Sequence, residues 1–521
     1  MAFTRQNVYT LGGDWADPIL WYARGVAAMQ ARPLSDPTAW RFFGAIHGFD
    51  QNLWQQLGYF TPGEPMPSNA NIATFWDQCQ HGSWYFVPWH RGYLLAFEAI
   101  VRDAVTKLGG PADWALPYWN YFGTNQQALP PAFASPDWPD GTGNNPLFVP
   151  QRFGPNNDGN VLVPLSQVNL NALGDSDFTG SANGGSPGFG GVDTGFSHGG
   201  QVHGDLESQP HDMVHVLVGG QDPNSGLPGL MSDPDTAGLD PIFWLHHGNI
   251  DRLWVVWRKN PPTNMDPADA NWINGPAAVG DRAFVMPMPG GTTLTYTPGQ
   301  MSDLSALNYG YDDVSSPTAP RLVARLRRLA PAPVATEAIV RSTAMAAPKN
   351  VELLGASTES VRFTGSEARA AVPLDAGVRR KVAASLRGAT ESLAAAAPAM
   401  PDRVFLNLEN VRGTNDATAF NVYVNVPEGD DPARHPELLA GSVGLFGVRK
   451  ASKADDKHAG DGLTFVLDIS HVIDKLHLDG ALDTSQLHVR LVPVKTAQEA
   501  PRAAKPADVS IGRISVFRQG A

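Results

Sequence analysis

Cys79-Gln80-His81-Gly82-Ser83-Trp84-Tyr85-Phe86-Val87-Pro88-Trp89-His90-Arg91-Gly92-Tyr93-Leu94-Leu95-Ala96-Phe97-Glu98 sets two histidines and the only cysteine of the chain at the mouth of an amphipathic helix. After His90 the apolar residues Leu94, Leu95, Phe97, Ile100, Val101 and Val105 recur with near-helical period, and Gly109-Gly110-Pro111 stops the run. His90, Leu94 and Glu98 therefore share one face. His81 precedes the helix on an aromatic, extended segment, so the fold must bring its imidazole round to meet that of His90. A metal ion would do that, and the stretch reads as half of a metal site.

A lone histidine says little, because most are packed or surface imidazoles. Here histidines return in two further groups, His211-Asp212-Met213-Val214-His215 and Asp240-Pro241-Ile242-Phe243-Trp244-Leu245-His246-His247-Gly248-Asn249-Ile250-Asp251. The spacing of His211 and His215 puts both on one helical face, the usual way a short helix offers two imidazoles to one ion. Asp251 stands one helical turn beyond His247 and is placed to orient it from behind. Nitrogen-only ligation suits copper, zinc or iron alike.

The stretches His81 to Glu98 and Asp240 to Asp251 together resemble the two copper signatures of the tyrosinase, catechol oxidase and molluscan haemocyanin family. That resemblance covers roughly residues 1 to 330 and, more loosely, the rest. It implies two copper ions, each held by three histidines: His47, His81 and His90 for one, and His211, His215 and His247 for the other. His47 is supplied by Phe42-Phe43-Gly44-Ala45-Ile46-His47-Gly48, and His246 is left as a neighbour. The choice of copper comes from the resemblance, not from ligand type. It further implies a thioether between Cys79 and His81, and a proton-accepting role in phenol hydroxylation for Glu207 and Asp212, the latter standing where the family commonly has asparagine. For both acidic residues the plain alternative is capping of the helix that bears His211.

The chain of 521 residues exceeds what one core normally supports, which predicts two domains. Hydrophobic content of 42% and charged content of 17% describe a globular protein. The 38 basic and 51 acidic residues leave a formal charge of −13, which disfavours nucleic acid and anionic membranes as partners. The N-terminus shows no signal-peptide pattern and no stretch is long enough to span a bilayer, so a cytoplasmic location is expected. One cysteine excludes an intramolecular disulfide and suits a reducing compartment.

Residues 17 to 57 read as two helices, the second opened by Asp36-Pro37 and striped by Trp40, Phe43, Ile46, Phe49 and Leu53. From Asn120 to Gly200 periodicity fades into glycine- and proline-rich loops, expected to be solvent loops or walls of a cleft mouth. Asp240-Pro241 opens a helix that Pro261-Pro262 ends. Helices bearing His47, His90, His211 with His215, and His247 then form a four-helix bundle with inward ligands. Beyond the proline-alanine linker at Ala330 the runs at 404–408, 420–426, 463–467, 487–492 and 509–516 alternate as short strands of a sandwich or barrel. Ala376 to Met400 reads as a short helix followed by a flexible stretch. The expected organisation is a mainly α copper domain over 1–330 and a linker with an all-β C-terminal domain over 331–521. His435, His458, His471, His477 and His488 fall among those strands and read as structural or surface residues.

The segment Ala419 to Asn425 is similar to the start of the C-terminal domain of plant polyphenol oxidases, with lysine and aspartate replaced. In those proteins such a domain often covers the copper cleft. Ala440-Gly441-Ser442-Val443-Gly444-Leu445-Phe446-Gly447 offers an apolar tip, so Leu445 or Phe446 is the expected plug. The resemblance implies an oxidase that uses dioxygen to hydroxylate monophenols at the ortho carbon and to oxidise catechols to quinones. A catechol oxidase without monophenol activity, a haemocyanin-like oxygen carrier and a zinc hydrolase are the alternatives. Small phenols and catechols are the expected partners, and association into a homo-oligomer is left open.

Overall fold

A computed structural model describes residues 3–316, 325, 328–329, 350–364, 366–392, 399–454, 459–482, 484–494 and 508–520. The linker expected at 330–333, residues 393–398 of the Ala376–Met400 stretch and His458 lie outside the described residues.

Helix α1 (Asp17–Gln30), with Pro18 in its first turn, buries Ile19, Tyr22, Val26 and Met29. It lies so close to α4 (Phe86–Lys107) that a Cβ on Gly25 would come within 2.8 Å of Val101. Residues 17 to 57 form three helices, not two. Asp36 caps only a turn, by accepting from the Thr38 amide, and α2 (Trp40–His47) starts after it. Gly48 is extended, and Asp50 then accepts from the Asn52 and Leu53 amides to start α3 (Gln51–Gln56). The apolar stripe is continuous in sequence, but the cap breaks the backbone just behind His47.

Helix α4 is apolar nearly all round and buried from Phe86 to Leu94, as a central helix must be. Helix α5 (Met213–Gly219) and helix α6 (Pro241–Lys259) complete the bundle, the latter capped by Asp240, whose side chain accepts from the Ile242 amide. Phe97 of α4 stacks on Trp244 of α6, with ring centroids 3.5 Å apart. The domain is closed by strand β1 (Phe3–Arg5), which pairs in parallel with β2 (Tyr309–Tyr311). Arg5 carries that closure into the core, where it donates to Glu98 at 2.7 Å and Asp251 at 3.1 Å. Arg91 donates to the same Asp251 at 2.5 Å, and the hydroxyls of Tyr309 and Tyr311 also point at it. Asp251 thus does not touch His247, contrary to the sequence expectation. Two arginines and two tyrosines that are remote in sequence claim its oxygens, so its work is to tie β1, β2, α4 and α6 together.

The described residues between 351 and 519 form a sandwich of antiparallel sheets. One sheet has the order β9 (Leu463–Asp468), β6 (Arg403–Gly413), β11 (Val509–Gln519), β3 (Val351–Ala356), with β4 (Val361–Phe363) also on β11. The other has β8 (Leu439–Gly444), β7 (Ala419–Val424), β10 (Gln486–Pro493), β5 (Ala368–Pro373). Helices α7 (Ala376–Glu391) and α8 (Ser470–Leu478) cover the sandwich. All five runs read as strands are strands. Leu406, Val422, Leu445, Leu491 and Ile514 lie in the core of this domain, whereas Phe446 belongs to the core of the helical domain.

The two cores meet closely. A Cβ on Gly444 at the end of β8 would lie 3.2 Å from the Asp212 carbonyl oxygen and the Met213 Cα, so a larger residue there would push β8 a few tenths of an ångström from α5. Around that contact Gln209 donates to the Ser442 carbonyl at 2.9 Å, the Thr464 amide to the Gln201 carbonyl at 2.7 Å, and Arg403 to Asp175 at 2.8 Å.

Candidate binuclear metal centre

His47 ends α2, His90 opens the second turn of α4, His215 lies on α5, and His247 lies on α6. His211 stands just before α5, and His81 is held outside any helix by its amide, which donates to the Ser197 carbonyl. In space they form two groups. The donor atoms of His47, Cys79, His81 and His90 lie within 4.8 Å of one another, as do those of His211, His215, His246 and His247. The groups adjoin through His90 and His247, whose rings stack at 4.3 Å.

Hydrogen bonds at the far nitrogen orient most of these rings. Nδ1 of His47 donates to the Pro234 carbonyl at 2.7 Å, that of His90 to Phe86 at 2.8 Å, and that of His215 to Met231 at 2.8 Å. His211 Nδ1 is 2.9 Å from Asp212 Oδ1. A proton fixed on Nδ1 leaves Nε2 as a bare lone pair aimed inward. Nε2 of His47 and of His211 is buried without any partner, and His215 Nε2 faces His247 Nε2 at 3.4 Å. Buried, unsatisfied acceptors converging in pairs are costly unless an ion fills the gap, so the residues fit metal binding. Burial keeps the imidazoles neutral, the form that ligates: His47 is pushed down to about 4, and His81, His90, His211, His215 and His247 go well below their ordinary value.

His246 is also buried and lowered to about 3 by that burial, with neither nitrogen bonded. Its ring lies 4.9 Å from that of His215 and 5.4 Å from that of His211, within the same buried group, but it is the ring of His247 that stacks on His90. Cys79 Sγ is 3.4 Å from Nε2 of both His81 and His90, and burial pushes its thiol up.

Glu207 is fully buried and accepts from the Gly82 amide at 2.9 and 3.0 Å. Asp212 makes no capping bond to α5, so capping is not its role. Its second oxygen takes a 2.7 Å bond with His203 Nδ1, which lies 3.8 Å from Glu207. Burial pushes the His203 imidazole down, but Glu207 and Asp212 outweigh this and hold it up at about 9. Burial raises both carboxyls.

Sequence reading missed His203 and also His198, which reaches the cleft from the glycine-rich loops. The only signal for either was the spacing of His203 to Glu207. The remaining histidines of the β domain that are described do not approach the centre; His435, for example, pairs with Asp430 and Glu437.

The C-terminal domain reaches into this centre. Phe446 lies stacked on His215 with centroids 4.1 Å apart, and 5.6 Å from the rings of His81 and His211. Leu445, the other candidate plug, faces the opposite way into its own core. Gly447 at φ +86° turns the chain from the plug into the short helix Val448–Ala451. There Arg449 pairs with Asp233 at 2.8 Å and with Asp50 and Asp235 at 3.1 Å, while Lys450 reaches Asp235 at 2.6 Å and His198 Nε2 at 2.7 Å.

A helical bundle that buries two adjoining groups of histidines and receives an aromatic residue from a β sandwich defines a binuclear metalloprotein with a covering domain. The family described as the common central domain of tyrosinase matches residues 37–260, and a domain of unknown function (DUF7868) matches residues 350–519. Tyrosinase HcTyr1 of Hahella sp. (strain CCB-MM4) is 34% identical over 99% of both chains. Among solved structures, latent apple tyrosinase shares the fold at 20% identity and a TM-score of 0.55, over 99% of this chain and 97% of that one. Latent aurone synthase does so at 19% and 0.55, over 99% and 90%.

The chain belongs to the tyrosinase family, and its centre is binuclear copper. It is accordingly a copper oxidoreductase acting on phenols. Among the described residues no helix is long and apolar enough to cross a membrane.

Proposed function

We propose that the protein is a latent tyrosinase-type phenol oxidase that hydroxylates monophenols at the ortho carbon and oxidises the resulting catechols to o-quinones with dioxygen. His47, His81 and His90 hold one copper, and His211, His215 and His247 the other. The observation that carries this reading is the set of inward Nε2 lone pairs, oriented from behind by Pro234, Phe86, Met231 and Asp212. Bound copper supplies the activation of dioxygen; the chain supplies the rest.

The buried rings exclude water and offer the phenol ring an apolar face at His215, where Phe446 lies when the cleft is closed. Glu207, with its carboxylate aimed by the Gly82 amide, takes the phenol proton. Asp212 holds His211 in one tautomer and, through His203, keeps a second proton within 3.8 Å of Glu207. A thioether between Cys79 Sγ and the His81 ring fixes that ring without a helix to carry it. Arg449 and Lys450 clamp the covering domain shut, and opening it admits substrate. A cytoplasmic location belongs to the same reading.

The test is copper stoichiometry combined with oxidation of 4-methylcatechol and of 4-methylphenol under oxygen. Two coppers per chain and turnover of both support the proposal. Turnover of the catechol alone would make it a catechol oxidase, and neither would reject an oxidase altogether.

A further inference from the structure

Phe446 and Lys450 line one cavity together with His81, His198 and His203. The ring lies against His215, nearly parallel to it, where a phenol ring would lie. The ammonium, one helical turn further on, sits between Asp235 Oδ1 and His198 Nε2, and Asp77 Oδ1 is 3.7 Å from that same ring nitrogen. His198 is fixed as an acceptor there, because its Nδ1 donates to the Cys79 carbonyl at 2.9 Å. Four carboxylates of the helical domain therefore edge the mouth: Asp50, Asp77, Asp233 and Asp235. The two cations paired with Asp50, Asp233 and Asp235, Arg449 and Lys450, both come from the covering domain. Of the helical domain's own cations nearby, Arg282 donates to the carbonyls of Thr74, Trp76 and Asp77, and His203 in the same cavity is paired with Asp212.

An aromatic ring on the copper histidines with an ammonium held by a carboxylate and an imidazole has the shape and charge of a phenol with an aminoalkyl side chain. We infer that the cleft, once cleared of its plug, selects phenols and catechols bearing an alkylammonium group, with Asp235 as the specificity-determining residue and His198 and Asp77 completing the notch. The covering domain blocks the cleft by supplying both parts of that ligand itself, the ring at Phe446 and the cation at Lys450. The carboxylates of the mouth attract an ammonium through a charge-assisted hydrogen bond and repel a carboxylate tail at the same place. This inference rests on the phenol oxidase reading.

The experiment uses the copper-loaded, full-length double variant Phe446→Ala with Lys450→Ala, which empties both positions while leaving Arg449 to hold the domain. Dopamine, 4-ethylcatechol and 3,4-dihydroxyphenylacetate differ mainly in the charge of the tail, and catechols make the result independent of ortho-hydroxylation. The kcat/KM for dopamine should exceed that for 4-ethylcatechol by about tenfold or more, the size expected of one hydrogen bond between charged groups. The acid should fall below both. Adding Asp235→Asn should bring the dopamine to 4-ethylcatechol ratio back toward one. In Phe446→Ala alone Lys450 competes for the notch whenever the domain is docked, so that ratio should fall below that of the double variant, a comparison that serves even where the triple variant does not fold. Equal rates for the three catechols in the double variant, or a preference that survives Asp235→Asn, overturns the inference and leaves the phenol oxidase reading standing. No turnover of 4-ethylcatechol by any variant at full copper content removes that reading, and this inference with it.

Discussion

Leu445 and Phe446 are neighbours in sequence but members of different cores, and replacing each with alanine should have opposite consequences. Leu445 is fully buried among the strands of the sandwich. Leu445→Ala should cost that domain about 2–5 kcal/mol and lower its melting temperature. Phe446 is equally buried, but against His81, His211 and His215. Phe446→Ala should cost the sandwich little and take about 3–5 kcal/mol from docking. At about 1.4 kcal/mol per decade, that raises the ratio of open to closed cleft by roughly a hundredfold to a few thousandfold, less where the emptied pocket collapses. The assay is the initial rate and KM for 4-methylcatechol at measured copper content, beside a calorimetric melt of each variant. The expected pattern is a faster Phe446→Ala with an unchanged β-domain transition, and a Leu445→Ala whose β-domain transition is lowered. An unchanged rate and KM in Phe446→Ala at full copper occupancy would refute the plug.

Four further outcomes are expected. His247→Ala should lose one copper per chain while His246→Ala retains both, as metal analysis will read, since only His247 bridges toward His90. Glu207→Gln should lose monophenol hydroxylation by more than about tenfold while catechol oxidation persists, and equal loss of both would mark a structural role instead. The copper-loaded protein should weigh less than the apo form by one pair of hydrogens and show no free thiol after denaturation; a titratable Cys79 in active enzyme would exclude the thioether. Burial pushes the Asp235 carboxyl up, but Lys450 and Arg449 outweigh it and hold the group below the ordinary range. A depressed carboxyl stabilises the clamp fully above its unpaired value of about 4, and that stabilisation drains as pH falls below it. The rate of the unmodified protein relative to Phe446→Ala should thus climb toward one on acidification and stay flat near neutrality, and a ratio that is flat throughout would count against the clamp.

The sequence by itself determined the helices and the ligand candidates, because those signals are local. A proline after a capping aspartate starts α6 at Pro241, a four-residue spacing brings His211 and His215 to one side, and alternation marks β6, β7, β9, β10 and β11. Local signals also explain the one misread boundary: the apolar stripe runs on past His47, but the Asp50 side chain satisfies the amides of a new helix and divides it.

Only the tertiary structure decided the rest, because it depends on pairs far apart in the chain. Asp251 has the spacing of a histidine partner, yet Arg5, Arg91, Tyr309 and Tyr311 arrive from elsewhere and occupy it. His198 and His203 sit in glycine-rich loops without periodicity, and beyond the four-residue spacing of His203 to Glu207 nothing local pointed them at the cleft. Leu445 and Phe446 are equally apolar in sequence, and burial alone separates neither. The alternation of an edge strand and the left-handed turn at Gly447 send one side chain into its own sandwich and the other across the interface to His215.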